Sequence, residues 1–109
     1  MAFDEGLAER IRERLSADPA ITEKHMFGGL AFLHRGNMAV GVIGDDLMVR
    51  VGPDGTDSAL ARPGARILDF TGRPMRGWIV VAASALTEDT ELDAWIDEGH
   101  SFAAGLPAK

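Results

Sequence analysis

Two short stretches of this chain hold residue types that could grip an anion. In "KHMFGG", Lys24 and His25 precede Gly28 and Gly29. Paired glycines can turn backbone N–H groups toward a phosphate or carboxylate, and Lys24 would add charge. In "FTGRPMRGW", Arg73 and Arg76 flank Pro74 and Met75, and Trp78 follows. That order would present a guanidinium pair on a stiff turn. Each stretch also has a plainer reading. The glycines sit in neither G-x-x-x-x-G-K-[ST] nor G-x-G-x-x-G, so a bulge or sharp bend is the simpler account of Gly28 and Gly29. The arginines of a solvated turn can be neutralised by Asp69 and by the acids of the last segment.

Arg50 poses a sharper question. It follows "LMV" and precedes Val51, in a strand-like run. A guanidinium on a semi-apolar face is costly to desolvate unless an acid meets it. Asp69 or an acid of the C-terminal segment is the expected partner, and a ligand or partner anion is the alternative. Met26, Met38, Met48 and Met75, with Phe27, Phe32 and Trp78, supply the soft side chains of an adaptable contact surface, or simply fill a core. The remaining chemistry is thin. His25, His34 and His100 lack metal-ligand spacing, and solvated or hydrogen-bonded imidazoles are expected. "PDGTDS" departs from the calcium-loop pattern. Ser58, Ser84 and Ser101 stand outside any nucleophile-elbow context. No catalytic residue, cofactor or metal is expected.

The elements that must position these residues follow from periodicity. Leu7, Ile11 and Leu15 recur every four residues with Glu5, Glu9, Arg10, Glu13 and Arg14 between them, which predicts a helix from about Asp4 to Ala17, capped by Asp4 and ended before Pro19. A second amphipathic helix is predicted from about Glu88 to Gly105 on Leu92, Trp95, Ile96, Gly99, Phe102 and Ala103, with Thr87 as its cap and acids in its first turn. Between them "GLAFLH", "MAVGVI" and "LMVRVG" read as a three-strand meander turned at "RGN" and "GDD". A short helix from Thr56 to Arg62 and two strands, "ARILDF" and "WIVVAA", complete the order. The fold class is α+β, an antiparallel sheet of about five strands with the N- and C-terminal helices packed on one face.

Strand alternation divides the meander. Gly29, Ala31, Leu33, Met38, Val40, Val42, Leu47, Val49 and Val51 are assigned to the helix-covered face. Leu30, Phe32, Ala39, Gly41, Ile43, Met48 and Arg50 are assigned to the other. That second face is too apolar to be left to water, so the C-terminal strand pair, a partner subunit or a ligand is expected to cover it.

Totals narrow the function. At 109 residues the chain is one domain, 1–109. There are no cysteines, which removes disulfides and thiolate metal sites and fits a reducing, cytoplasmic setting. No signal-peptide pattern or membrane-length apolar run is present. The net charge of -6 works against direct nucleic-acid binding, although five arginines between Arg50 and Arg76 could form a local basic surface.

The motifs "MFGG", "LMVRVG" and "FTGRPMRGW" have a further significance together. "TEKHMFGGLAFLHRGNMAVGVIGDDLMVRVG" followed by "ARPGARILDFTGRPMRGWIVV" resembles the N-terminal domain of the TfoX/Sxy family over essentially the whole chain. The resemblance implies a compact α+β domain of secretion-chaperone-like, two-layer form. Longer family members act as regulators of bacterial competence and associated transcription and carry a second, C-terminal domain; the present chain reads as a stand-alone first domain. The family brings no established catalytic residues. The expectation is therefore a non-catalytic regulatory domain that works through protein–protein contact, with a partner or with itself as a homodimer. Phe32, Met48, Arg50, Arg73, Met75, Arg76 and Trp78 would form the surface, and Lys24, Gly28 and Gly29 a candidate anion loop. A sensor of a small anionic ligand, held by the arginines, is the alternative.

Overall fold

Asp4 starts the first helix as its spacing predicts. In the computed structural model, which describes residues 3–26, 28–69 and 72–109, its carboxylate accepts from the backbone N–H groups of Gly6 and Leu7 at 2.9 and 3.2 Å, satisfying two donors that the first turn leaves free. Helix α1 spans Glu5–Leu15. It buries Leu7, Ala8, Ile11 and Leu15 as one stripe.

Six strands follow in one antiparallel sheet of order β1-β2-β3-β4-β6-β5. They are β1 (Ile21–Met26), β2 (Gly29–His34), β3 (Asn37–Ile43), β4 (Asp46–Arg50), β5 (Ala65–Leu68) and β6 (Met75–Val81). Helix α2 (Thr56–Leu60) leads from β4 to β5, and helix α3 (Asp89–Ala104) closes the chain. The α+β class and its two terminal helices are as expected. The additional strand is β1, "ITEKHM", whose middle four residues are exposed. A solvated edge strand lacks the apolar alternation by which strands are read from sequence. The N-cap position of α3 is Glu88 rather than Thr87, and its side chain makes no capping hydrogen bond.

The main core lies between one face of the sheet and both long helices. Leu7, Ile11 and Leu15 of α1 and Leu92, Trp95 and Ile96 of α3 pack on Leu30, Phe32, Val40, Val42, Leu47, Val49, Ile79 and Val81. The β3–β4 register is the expected one, with Val40 opposite Val49 and Val42 opposite Leu47. The β2–β3 register is not. Leu33 pairs with Met38 around the Arg35–Gly36 turn, but the next pair is Phe32 with Val40, so Ala39 is an extra residue in β3. This bulge reverses the faces of β2. Leu30 and Phe32 therefore point into the helix-covered core, and Ala31 moves to the other side. Met38 changes sides as well, packing with Met48, Leu68 and Val80.

The second face is extended by the chain itself. Strands β5 and β6 lie beside β4 and supply Leu68, Trp78 and Val80 around Met48. The C-terminal strand pair expected to cover this face instead widens it, because β5 and β6 lie in the same sheet as β4. No described helix is long and apolar enough to cross a membrane.

Candidate functional site

Arg50, the last residue of β4, stands opposite Trp78 of β6. Both strands are anchored at this end. The N–H groups of Val51 and Gly52 donate to the Gly77 carbonyl at 2.9 and 3.1 Å. Thr56, fully buried at the start of α2, donates its hydroxyl to the Gly52 carbonyl and accepts from the Gly77 N–H, each at 2.9 Å. One hydroxyl thus joins the exit of β4 to the entrance of β6. No buried side-chain nitrogen or oxygen among the described residues is left without a partner.

The Arg50 side chain is half-buried, and its guanidinium carbon lies 5.1 Å from the Trp78 ring centroid and 5.4 Å from that of Phe102 on α3. Both distances suit cation–π attraction. The acid partner expected of Arg50 is not there: among the described residues its guanidinium makes no salt bridge or side-chain hydrogen bond, and Asp69 is exposed elsewhere. Two aromatic rings near the charge stabilise it, and no acid among the described residues takes up its N–H groups. Such a group can take a carboxylate or phosphate in bidentate fashion.

The other predicted surface residues divide. Met75, at the start of β6, is 39% exposed, and Trp78 is half-buried beside Arg50. Arg73 is exposed in the β5–β6 connection, of which Phe70 and Thr71 lie outside the described residues. Arg76 is drawn off to Asp57 of α2 by two contacts of 3.3 Å. The arginines therefore form one stacked cation with neighbours rather than a three-arginine cluster. Phe32 is a correction: at 1% exposure it is core, because the bulge turned it inward. Met48, at 3% exposure, lies on the expected face but is sealed beneath its neighbours. Neither can touch a partner.

The glycine pair is part of a hairpin. Met26 and Gly29 pair across β1 and β2, Phe27 lies outside the described residues, and Gly28 takes φ +74°, a left-handed angle that favours glycine. A side chain at Gly29 would collide with the Val42 carbonyl. The space beside the pair is a shallow hollow of about 300 Å³ lined by Phe3, His25, Met26, Gly28 and Gly29, and Lys24 is not among those residues. Its walls are mainly apolar, which suits a tight turn better than an anion cradle.

Four further arginines, Arg10, Arg12, Arg14 and Arg62, serve the fold. Arg10 and Arg14 of α1 meet Asp89 and Asp97 of α3, and Arg12 bridges to Glu23 of β1 at 2.7 Å. Arg62 covers the Trp95 ring and bonds Glu98. The acid-rich helix is thus answered largely by its neighbour α1. Sequence reasoning missed one constellation. His34 and His100, hydrogen-bonded as expected, meet on a single carboxylate, that of Asp18. Their separation along the chain gives no spacing signal to find.

No curated protein and no solved structure matches the chain. A family match accords with this sheet and its paired helices: the model of the TfoX N-terminal domain covers residues 13–103 of the 109. The chain belongs to the TfoX N-terminal domain family.

Proposed function

We propose that this protein is a non-catalytic binding domain of regulatory type, acting in the bacterial cytoplasm, and that it engages an acidic segment of a protein partner at the end of β4 and β6. The observation that carries the proposal is Arg50, a half-buried guanidinium held between Trp78 and Phe102 without an acid among the described residues. A half-buried cation with no acid of its own gains most from a carboxylate that arrives with its partner, because partial burial strengthens the attraction between them. Exposed Met75 and Arg73 extend the surface with an adaptable apolar contact and a second charge. The chain as a whole carries a charge of -6, so a local basic-aromatic patch favours this orientation of an acidic partner over any other.

The test uses a glutamate-rich peptide, with inorganic phosphate and citrate in parallel, followed by Trp fluorescence and light scattering. The peptide is expected to perturb Trp78 in the wild type, with affinity falling as salt rises, and Arg50→Glu is expected to abolish the response. Saturable binding of phosphate or citrate with no gain from the peptide favours the second reading, a small-anion sensor. A wild type of twice its monomer mass that Arg50→Glu splits identifies the partner as a second copy. A monomer indifferent to all three ligands overturns the proposal.

A further inference from the structure

We infer that Asp18, His34 and His100 form a binding site for one transition-metal ion of the zinc class. The residues come from three elements: the connection after α1, the last residue of β2, and the C-terminal half of α3. His34 Nδ1 lies 2.8 Å and His100 Nε2 2.6 Å from the same oxygen, Asp18 Oδ2. The three donor atoms are all within 4.8 Å of one another. The side chains are 12%, 19% and 30% exposed for His34, Asp18 and His100, so the cluster is sheltered yet open to an entering ion.

Two imidazoles and one carboxylate form a nitrogen-rich set that suits zinc, cobalt or nickel, and it leaves a fourth position for water or another ligand. Magnesium and calcium want oxygen donors and find one carboxylate here. The carboxylate is also held in place. The other carboxylate oxygen of Asp18 accepts from the Ala20 N–H at 2.8 Å, which fixes the orientation of the group. The rings of His34 and His100 meet at 65° with centroids 5.5 Å apart, so they converge without stacking.

Without an ion, each imidazole satisfies itself by donating an N–H to Asp18. An ion replaces both hydrogen bonds. Bonds of about 2.0–2.1 Å at tetrahedral angles place donors about 3.3 Å apart. The cluster must therefore open by roughly half an ångström, which side-chain rotation can supply. Once filled, the site ties α3 to the sheet and to the end of α1 through one ion.

The experiment titrates metal-free protein with zinc while the imidazole resonances of all three histidines are followed by NMR. His25, on exposed β1 and outside the cluster, is the internal control. His34 and His100 are expected to shift and to saturate at one equivalent while His25 stays still. Cobalt should develop the visible absorption of a four-coordinate ion, and magnesium should do nothing. Asp18→Asn and His100→Gln should each weaken zinc by tenfold or more while retaining the wild-type circular dichroism. Equal responses from all three histidines, a response to acid but none to zinc, or an equal response to magnesium overturns the inference. The wild-type titration decides this even where a variant fails to fold.

Discussion

Thr56 shows how much one side chain can hold. Its hydroxyl bonds both sides of the junction next to Arg50, donating to the Gly52 carbonyl and accepting from the Gly77 N–H. Thr56→Val keeps the shape and removes both bonds, leaving the Gly77 N–H buried without an acceptor. A loss of about 1–3 kcal/mol is expected, read from the urea midpoint, whereas Thr56→Ser should retain most of the wild-type value. Because the junction sets the Arg50 platform, the valine variant should also weaken peptide binding by more than its stability loss alone explains. Little of this was legible beforehand. The sequence places Thr56 at the start of a short helix, and only the return of β6 to β4 reveals what its hydroxyl is bonded to.

At the scale of elements, the contact between α3 and β3 is set by Gly99. A methyl group there would lie 2.5 Å from the Ala39 carbonyl oxygen and 2.7 Å from a Val40 methyl. Glycine normally costs a helix about 1 kcal/mol relative to alanine. Here the sign should reverse: Gly99→Ala is expected to destabilise by about 1–3 kcal/mol as the helix is pushed off the sheet. The exposed neighbour Ser101, changed to alanine, should move stability by less than about 0.5 kcal/mol. Thermal or urea unfolding of the pair checks the claim. Ala39, which α3 approaches, is the bulged residue, and one extra residue reverses every side chain beyond it. Alternation is a local rule, and a bulge is chosen by what packs on the strand from a distance.

At the scale of the whole molecule, charge is organised by neighbours rather than by chain position. The arginines of α1 answer acids on α3 and β1, and Arg12 holds the Glu23 carboxyl below its ordinary value through a direct hydrogen bond. A carboxylate whose folded value is depressed stabilises the fold above its unfolded value, near 4.3 for glutamate, and that contribution disappears as the pH falls through the folded value. Stability should therefore decline below about pH 5, with the Arg12–Glu23 pair contributing no more than about 1 kcal/mol because it is substantially solvated. Arg12→Gln should shallow the decline, and 0.5 M salt should shrink the difference between the two proteins. A midpoint that falls equally in both would show that this pair is inert.

Local order was legible in the chain itself. Capping by Asp4, the apolar stripes of α1 and α3, the turns at Arg35–Gly36 and Gly44–Asp45, and the motifs of the family all depend on residues close in sequence, where sterics and hydrogen-bond geometry act directly. Tertiary structure decided what distance brings together: the burial of Phe32, the aromatic walls of Arg50, the pairing of Arg76 with Asp57, and the meeting of Asp18, His34 and His100. Those outcomes depend on registers and crossings that involve the whole sheet, so no local pattern of residues could carry them.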